Sequence, residues 1–368
     1  MGKAPIKVIL MNDYLEKLVA LPTTTNNIAA NTEALDYLAT FFAEKGLFVA
    51  RYDFDGHGAL VATTKEGSKT PKVLLAAHVD VVPGPDELFK LRETDGKLYG
   101  RGTYDMKFAI ASYMSALDAI GKDIANYDLG IMITTDEEIG GMYGTERLVE
   151  MGYRPQICIL PDGGQNWHLE TLAKGFIFGE IQVNGQTAHG SRPWEGDSAT
   201  FRLVETLHEI VQLFHGQAID TNSLNISIVE GGDAINQIPG SARATLDIRY
   251  LSMTDYHALT GQLNTIAAKH GAKFQENFKG APGATDLEHP LVKPFVESIT
   301  QTTGREVSGT LSVGSSDARF FAEIGVPCIL THPDGGGQHA DDEWIDVHGV
   351  EQFTAVLLSY LAKVAQTA

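Results

Sequence analysis

The sequence predicts an α/β protein in two parts. A larger domain has helices on both faces of a largely parallel sheet, and a small β-α-β-β-α-β domain is inserted into it. Three observations predict this. Strand-like apolar runs alternate with helical stripes over the first half, the pattern changes between about residues 175 and 282, and it returns after Pro290. At 368 residues the chain is also too long for one ordinary core.

Each element has its own signal. Ala34, Leu38, Phe41 and Phe42 form a helical stripe that stops at Gly46. Residues 60–63 and 73–77 read as strands, the second leading into His78. Residues 106–120 read as a helix, 130–134 as a buried strand leading into Asp136-Glu137-Glu138, and 157–160 as a strand ending at Pro161-Asp162. Unbroken apolar runs suit strands covered on both faces. In the inserted part, 176–183, 224–229, 242–250 and 273–278 read as strands, with helices at 199–214 and 255–270. That order is the ferredoxin-like unit. Helices near 290–302 and 317–324, a strand at 328–331 and a last helix from Val350 return to the larger domain. The expected boundaries are 1–174 and 283–368 for the larger domain and 175–282 for the insert.

Composition narrows the function. Hydrophobic content of 43% and charged content of 20% describe a globular protein. A net charge of −19 argues against nucleic acid and anionic membranes, which reward clustered Lys and Arg. Bound cations would offset part of that acidity, and a solvated acidic surface accounts equally well for most of the 47 acidic residues. Cys158 and Cys328 lie in apolar runs and are expected to be buried thiols, with no Cys-x-x-Cys pair for a structural zinc. The run Val8-Ile9-Leu10-Met11, cut off by Asn12 and Asp13, is too short for a signal-peptide core or a membrane span, so the expectation is a cytoplasmic protein.

The chemistry-bearing residues cluster at strand ends, where α/β folds place their sites. Asp80 follows His78 by two positions on the same face of an extended chain, so it can orient the imidazole; a lone His there would be a polar rim residue, and the pair brings the metal-ligand reading level with it. Asp105, in a glycine-rich turn before a helix, suits an N-cap, and its two oxygens also suit bridging two cations. Adjacent acids such as Glu137 and Glu138 are usually surface; at a strand end they divide into a metal ligand and a general acid/base. Asp162 ends the next strand, and His339 sits in a flexible Gly-rich loop. Two His and three acidic ligands without thiolate suit a pair of Zn2+ ions, with Co2+ or Mn2+ as substitutes.

These motifs resemble the zinc metallopeptidase and deacylase family of acetylornithine deacetylase, succinyl-diaminopimelate desuccinylase, aminoacylase and carboxypeptidase G, over nearly the whole chain. The matching segments are His78-Val79-Asp80-Val81-Val82-Pro83, Gly100-Arg101-Gly102 with Asp105-Met106-Lys107, and Asp136-Glu137-Glu138. Further matches are Ala188-His189 with Pro193, Asn236 with Pro239, Asp247-Ile248-Arg249, Ser316-Asp317-Ala318-Arg319-Phe320, and His339 with Glu343. The resemblance implies a zinc-peptidase-like catalytic domain and an inserted lid that also dimerises. It makes His78 and Asp162 ligands of one zinc, Glu138 and His339 ligands of the other, Asp105 the bridge, and Asp80 the residue orienting His78. Glu137 matches the general base that activates water and then protonates the leaving amine. His189 would stabilise the oxyanion, supplied from the partner subunit. Asn236, Arg249, Ser315 and Ser316 would contact substrate.

The chain departs from many deacylases of the family, which carry Glu-Pro where it has Asp162-Gly163. Asp there resembles the dipeptidase and aminopeptidase branches. The resulting expectation is a zinc-dependent hydrolase of the amide bond in a dipeptide or N-acyl amino acid with a free carboxylate, and a homodimer. The alternatives are a dedicated biosynthetic deacylase and, from another class, a catalytically silent metal-binding homodimer, against which Glu137 speaks. His168, Trp167 and His332 suit ordinary loop packing first and a specificity pocket second. His208, His215, His257 and His270 are expected at the surface of the insert.

Overall fold

The computed structural model describes residues 8–214, 216–312 and 314–367, and His215 lies outside the described residues. The chain divides into two compact units, one of Met1–Thr171, Ala284–Ser312 and Ser316–Ala368, the other of Leu172–Gly283 and Val313–Ser315.

The first unit is built on a six-stranded sheet in the order Phe48–Phe54, His57–Thr63, Leu129–Thr134, Val73–His78, Ile157–Ile159, Cys328–Ile329. The last four are mutually parallel, and the first two form an antiparallel hairpin at the edge. Every residue of Val73–His78 and Leu129–Thr134 is buried. Side chains alternate faces along a strand. Leu75, Ala77, Ile131 and Ile133 therefore enter one core, with the helices Lys107–Ile120 and Val347–Val364. Leu74, Ala76 and Met132 enter the other, with Leu148 of Thr145–Glu150 and Phe321 of Ala318–Glu323. Helices thus cover both faces. Cys158 stands opposite Cys328 in the parallel register, and both are buried and free.

Several elements differ from the sequence reading, two of them through a solvated face. Asn12 and Asp13 do not end the first apolar run, because Val8–Val19 is one helix whose stripe continues through the buried Leu15, Leu18 and Val19. The two polar residues fall outside that stripe. The edge strand Phe48–Phe54 was not legible either, since one face is solvated and carries Arg51 and Asp53. No described helix is long and apolar enough to cross a membrane.

A second, four-stranded sheet of the first unit runs Gly335–Gly336, Trp344–Asp346, Lys97–Tyr99, Arg92–Thr94. Its pairing of Trp344 with Tyr99 brings the loop after Gly336 beside the turn after Tyr99.

In the other unit four strands run Ser223–Gly231, Ser241–Tyr250, Gly175–Asn184, Ala272–Gly280, antiparallel throughout. The helices Ala199–Val211 and Met253–Lys269 start at Ser198 and Ser252, whose side chains accept the N–H groups of Phe201 and Asp255. Leu203, Ile210, Leu259 and Leu263 pack with Ile177, Ile181, Ala244 and Ile248 in that unit's core.

Candidate metal centre

Three adjacent parallel strands deliver the first side chains. His78 is the last residue of its strand, Asp136-Glu137-Glu138 follows Leu129–Thr134, and Asp162 follows Ile157–Ile159. Because the strands run the same way, their carboxyl ends share one edge of the sheet. Asp105 comes from the turn before the helix Lys107–Ile120. That helix has Met106 at its N-cap position and no side-chain cap, so the Asp105 carboxylate is not used as a cap. His339 comes from the loop between Gly336 and Trp344.

These residues converge on Asp105. Its Oδ1 lies 3.1 Å from His78 Nε2, and its Oδ2 lies 3.1 Å from His339 Nε2. His339 Nε2 is also 3.1 Å from Glu138 Oε2. Two groups able to hold a metal ion result, His78–Asp105–Asp162 and Asp105–Glu138–His339, with Asp105 common to both. Glu137 belongs to neither, and its Oε2 lies 3.9 Å from His78 Nε2.

Electrostatics show what the cluster lacks. Burial, reinforced by neighbouring carboxylates, pushes Glu137 and Asp162 well above the usual carboxyl range. Burial also works against Asp105 and against protonated His78. For Asp105 the contacts with His339 and His78 win and hold the carboxyl well below its usual range; for His78 the contacts with Asp105 and Asp80 win and hold the imidazole well above. The Asp105 and Glu138 contacts push His339 up to about 10. Asp162 Oδ2 is buried without a hydrogen-bond partner. A pocket of crowded carboxylates that holds its two imidazoles in the protonated form calls for positive charge. Divalent cations would supply it, and the nitrogen and oxygen donor set suits them.

The supporting contacts are more extensive than the motifs suggest. His78 Nδ1 lies 2.9 Å from the backbone oxygen of Asp80 and 3.5 Å from its Oδ1, so the carbonyl takes the shorter contact. The Asp80 carboxylate instead accepts the N–H groups of Glu137 and Glu138 and the hydroxyl of Thr25. Asp136 closes the following loop by accepting the N–H groups of Tyr143 and Gly144. Gln338 donates to Asp105 Oδ2 at 2.8 Å. Neither Thr25 nor Gln338 carries a local signal that could have marked it.

In the other unit, the N–H of Ser191 donates to His189 Nδ1 at 3.2 Å, and the Ser191 hydroxyl lies 2.8 Å away. Asn236 lies beside it, its carbonyl accepting the N–H of Gly190. Arg249 forms a two-pronged pair with Asp247 and lies over the rings of Phe176 and Phe178. Ser315 belongs to the short segment Val313–Ser315, whereas Ser316 is in the first unit, its hydroxyl accepting the N–H of Ala318. Trp167 and His332 are buried; His332 Nδ1 donates to the carbonyl of Gly164, and the ring stacks on Tyr104. His168 accepts from Ser308, and these contacts are loop packing. His208 and His257 are exposed, and His270 is half-buried against Glu209.

The model of peptidase family M20/M25/M40 matches residues 74–363. Succinyl-diaminopimelate desuccinylase of Hahella chejuensis is 29% identical over 314 residues, which cover 79% of this chain and 82% of the relative. A tripeptidase from Staphylococcus aureus superposes with a TM-score of 0.79 at 20% identity, covering 99% of this chain and 100% of that one. A dinuclear metal-binding peptidase of the M20 family from Bacillus subtilis superposes with a TM-score of 0.69 at 14% identity, covering 98% of this chain and 99% of that one. Matched from the strand that ends at His78 to the last helix, the chain belongs to peptidase family M20/M25/M40 and is a metal-dependent hydrolase of amide bonds.

Proposed function

We propose that the protein is a di-zinc hydrolase that cleaves the amide bond of a dipeptide or of an N-acyl amino acid bearing a free carboxylate. The observation that carries this reading is Asp105, whose two oxygens each meet a different imidazole at 3.1 Å, the arrangement of a carboxylate shared by two ions. His78 and Asp162 would hold one ion, Glu138 and His339 the other. When bound, such ions activate water and polarise a carbonyl. Glu137 is half-buried, lies 3.9 Å from His78 Nε2 and belongs to neither cluster, and its raised pKa suits a group that takes a proton from water and gives it to the leaving amine.

The second unit (175–282 in the sequence reading) would be a ferredoxin-like lid on a zinc-peptidase-like domain. Because the Ser191 N–H donates to His189 Nδ1, a neutral ring carries its proton on Nε2 and presents a donor suited to an oxyanion. Asn236 and Arg249 would meet the substrate, with Ser315 and Ser316. Asp247 takes the Nε N–H and one Nη2 N–H of Arg249, and the N–H groups of Nη1 would serve as donors toward a substrate carboxylate. The lid exposes Phe201 and Val204 on a helix and Ile228 and Val229 on an edge strand, which supports a homodimer through this unit.

Peptides are favoured by the Asp162 loop. A Cβ on Gly164, where φ is +67°, would lie 2.4 Å from the carbonyl oxygen of His168, and one on Gly163 would lie 2.5 Å from Glu170 Oε2. At Gly164 backbone atoms leave no room for a side chain, so glycine there lets the loop pack closely and would bring the short Asp side chain within reach. The rival reading, a biosynthetic desuccinylase, is favoured by the desuccinylase relatives. A hydrolysis panel decides: kcat/KM for unblocked dipeptides should exceed that for N-acetyl and N-succinyl amino acids with zinc, cobalt or manganese. Preference for N-succinyl-diaminopimelate would overturn the peptide reading.

A further inference from the structure

The loops that carry Asp105 and His339 are joined by a buried ion pair. Arg101 Nη1 lies 2.9 Å from Glu343 Oε2, and each side chain is only 2% exposed. Glu343 also serves the turn that presents Asp105. Its Oε2 accepts the N–H of Gly102 at 3.0 Å, and its Oε1 accepts those of Tyr104 at 2.9 Å and Asp105 at 3.0 Å. One carboxylate thus satisfies three backbone donors on an irregular turn.

Arg101 reaches the other loop. Its Nη1 donates to the carbonyl of Ala340 at 3.0 Å, and its Nη2 to that of His339 at 3.4 Å. His339 needs such support. Its φ of 64° is unfavourable for a residue other than glycine, and its side chain is 51% exposed, so burial does not fix it. His78, by contrast, ends a buried strand, and Asp162 closely follows the strand Ile157–Ile159.

We propose that Arg101 and Glu343 are positioning residues that clamp the Asp105 and His339 loops together and so set the affinity of the Asp105–Glu138–His339 cluster for its ion. This rests on the two-ion reading. The Arg fork suits this task because its two terminal nitrogens meet the carboxylate and both carbonyls from fixed, separate positions. Residues that brace metal ligands typically change affinity by roughly 10- to 100-fold.

The test compares wild type, Glu343→Gln and Arg101→Lys in zinc buffered by chelator over a range of free concentrations. Bound zinc is counted by mass spectrometry, and folding is checked by circular dichroism. Wild type should bind two ions per chain. Glu343→Gln should keep one with near-native affinity and bind the second roughly 10- to 100-fold more weakly, with kcat recovering at saturating zinc. Such rescue is not expected of a merely structural role. Arg101→Lys should show the same split to a smaller extent, and it decides the matter if Glu343→Gln does not fold. Two equally tight ions in the folded variants, or both ions weakened together, would overturn the proposal. Fewer than two ions on wild type would instead overturn the two-ion reading beneath it, and the proposal with it.

Discussion

Asp80 Oδ2 accepts the backbone N–H of Glu138 at 3.2 Å, across 58 positions of sequence. Its Oδ1 accepts the N–H of Glu137 in the same way. The residue therefore positions the two adjacent acids as well as facing His78. An amide cannot accept at both ends, so Asp80→Asn turns one acceptor into a donor aimed at an N–H. Activity should fall by roughly 10- to 100-fold, with weaker zinc binding in a chelator competition. Unchanged zinc affinity and unchanged kcat would remove Asp80 from the site.

Glu137 and Glu138 should separate by metal content. Glu137→Ala should lower kcat by roughly 10²- to 10⁴-fold or more while the protein still carries about two ions. Glu138→Ala should lower the metal content itself. The opposite pattern in metal analysis would reverse the two assignments.

Glu170 gives a pH prediction outside the metal cluster. Burial pushes its carboxyl up to about 7, above the ordinary 4.5, against the hydrogen bonds from Ser312 and Gly164. The folded state thus holds the proton more tightly than the unfolded state. Stability from this group is complete below about pH 4.5 and is lost as pH rises toward about 7, by about 3 kcal/mol at most. Glu170→Gln keeps the shape without the charge. In urea denaturation, its stability relative to wild type should improve steadily between pH 5 and about pH 8. A difference that does not change with pH would show that Glu170 titrates normally.

If the lid of one subunit serves the partner's site, two inactive variants should complement each other. Mixing Glu137→Ala with His189→Ala under subunit exchange gives mixed dimers in half of the pairings, each with one whole site. Activity should recover to roughly one quarter of wild type, given a two-fold dimer. No recovery despite proven exchange, or an active monomer in sedimentation, would rule sharing out.

The buried strands of the main sheet and several candidate residues at their ends could be read from local pattern. Residues 73–77 and 130–134 are apolar without a break because both faces of each strand are covered, and the polar residue that ends such a run sits at the sheet's edge. His78, Glu137, Glu138 and Asp162 were legible for that reason. Local pattern misled where one face is solvated, as at Asn12-Asp13 and in Phe48–Phe54. Which atoms meet depends on the packing of segments far apart in the chain. The Arg101–Glu343 pair spans 242 positions, and Gln338 reaches Asp105 across 233. The pairing of Trp344–Asp346 with Lys97–Tyr99 brings those segments together, and neither strand exceeds three residues. A strand that short has no periodicity to read, and its partner is chosen by the packing of the whole unit.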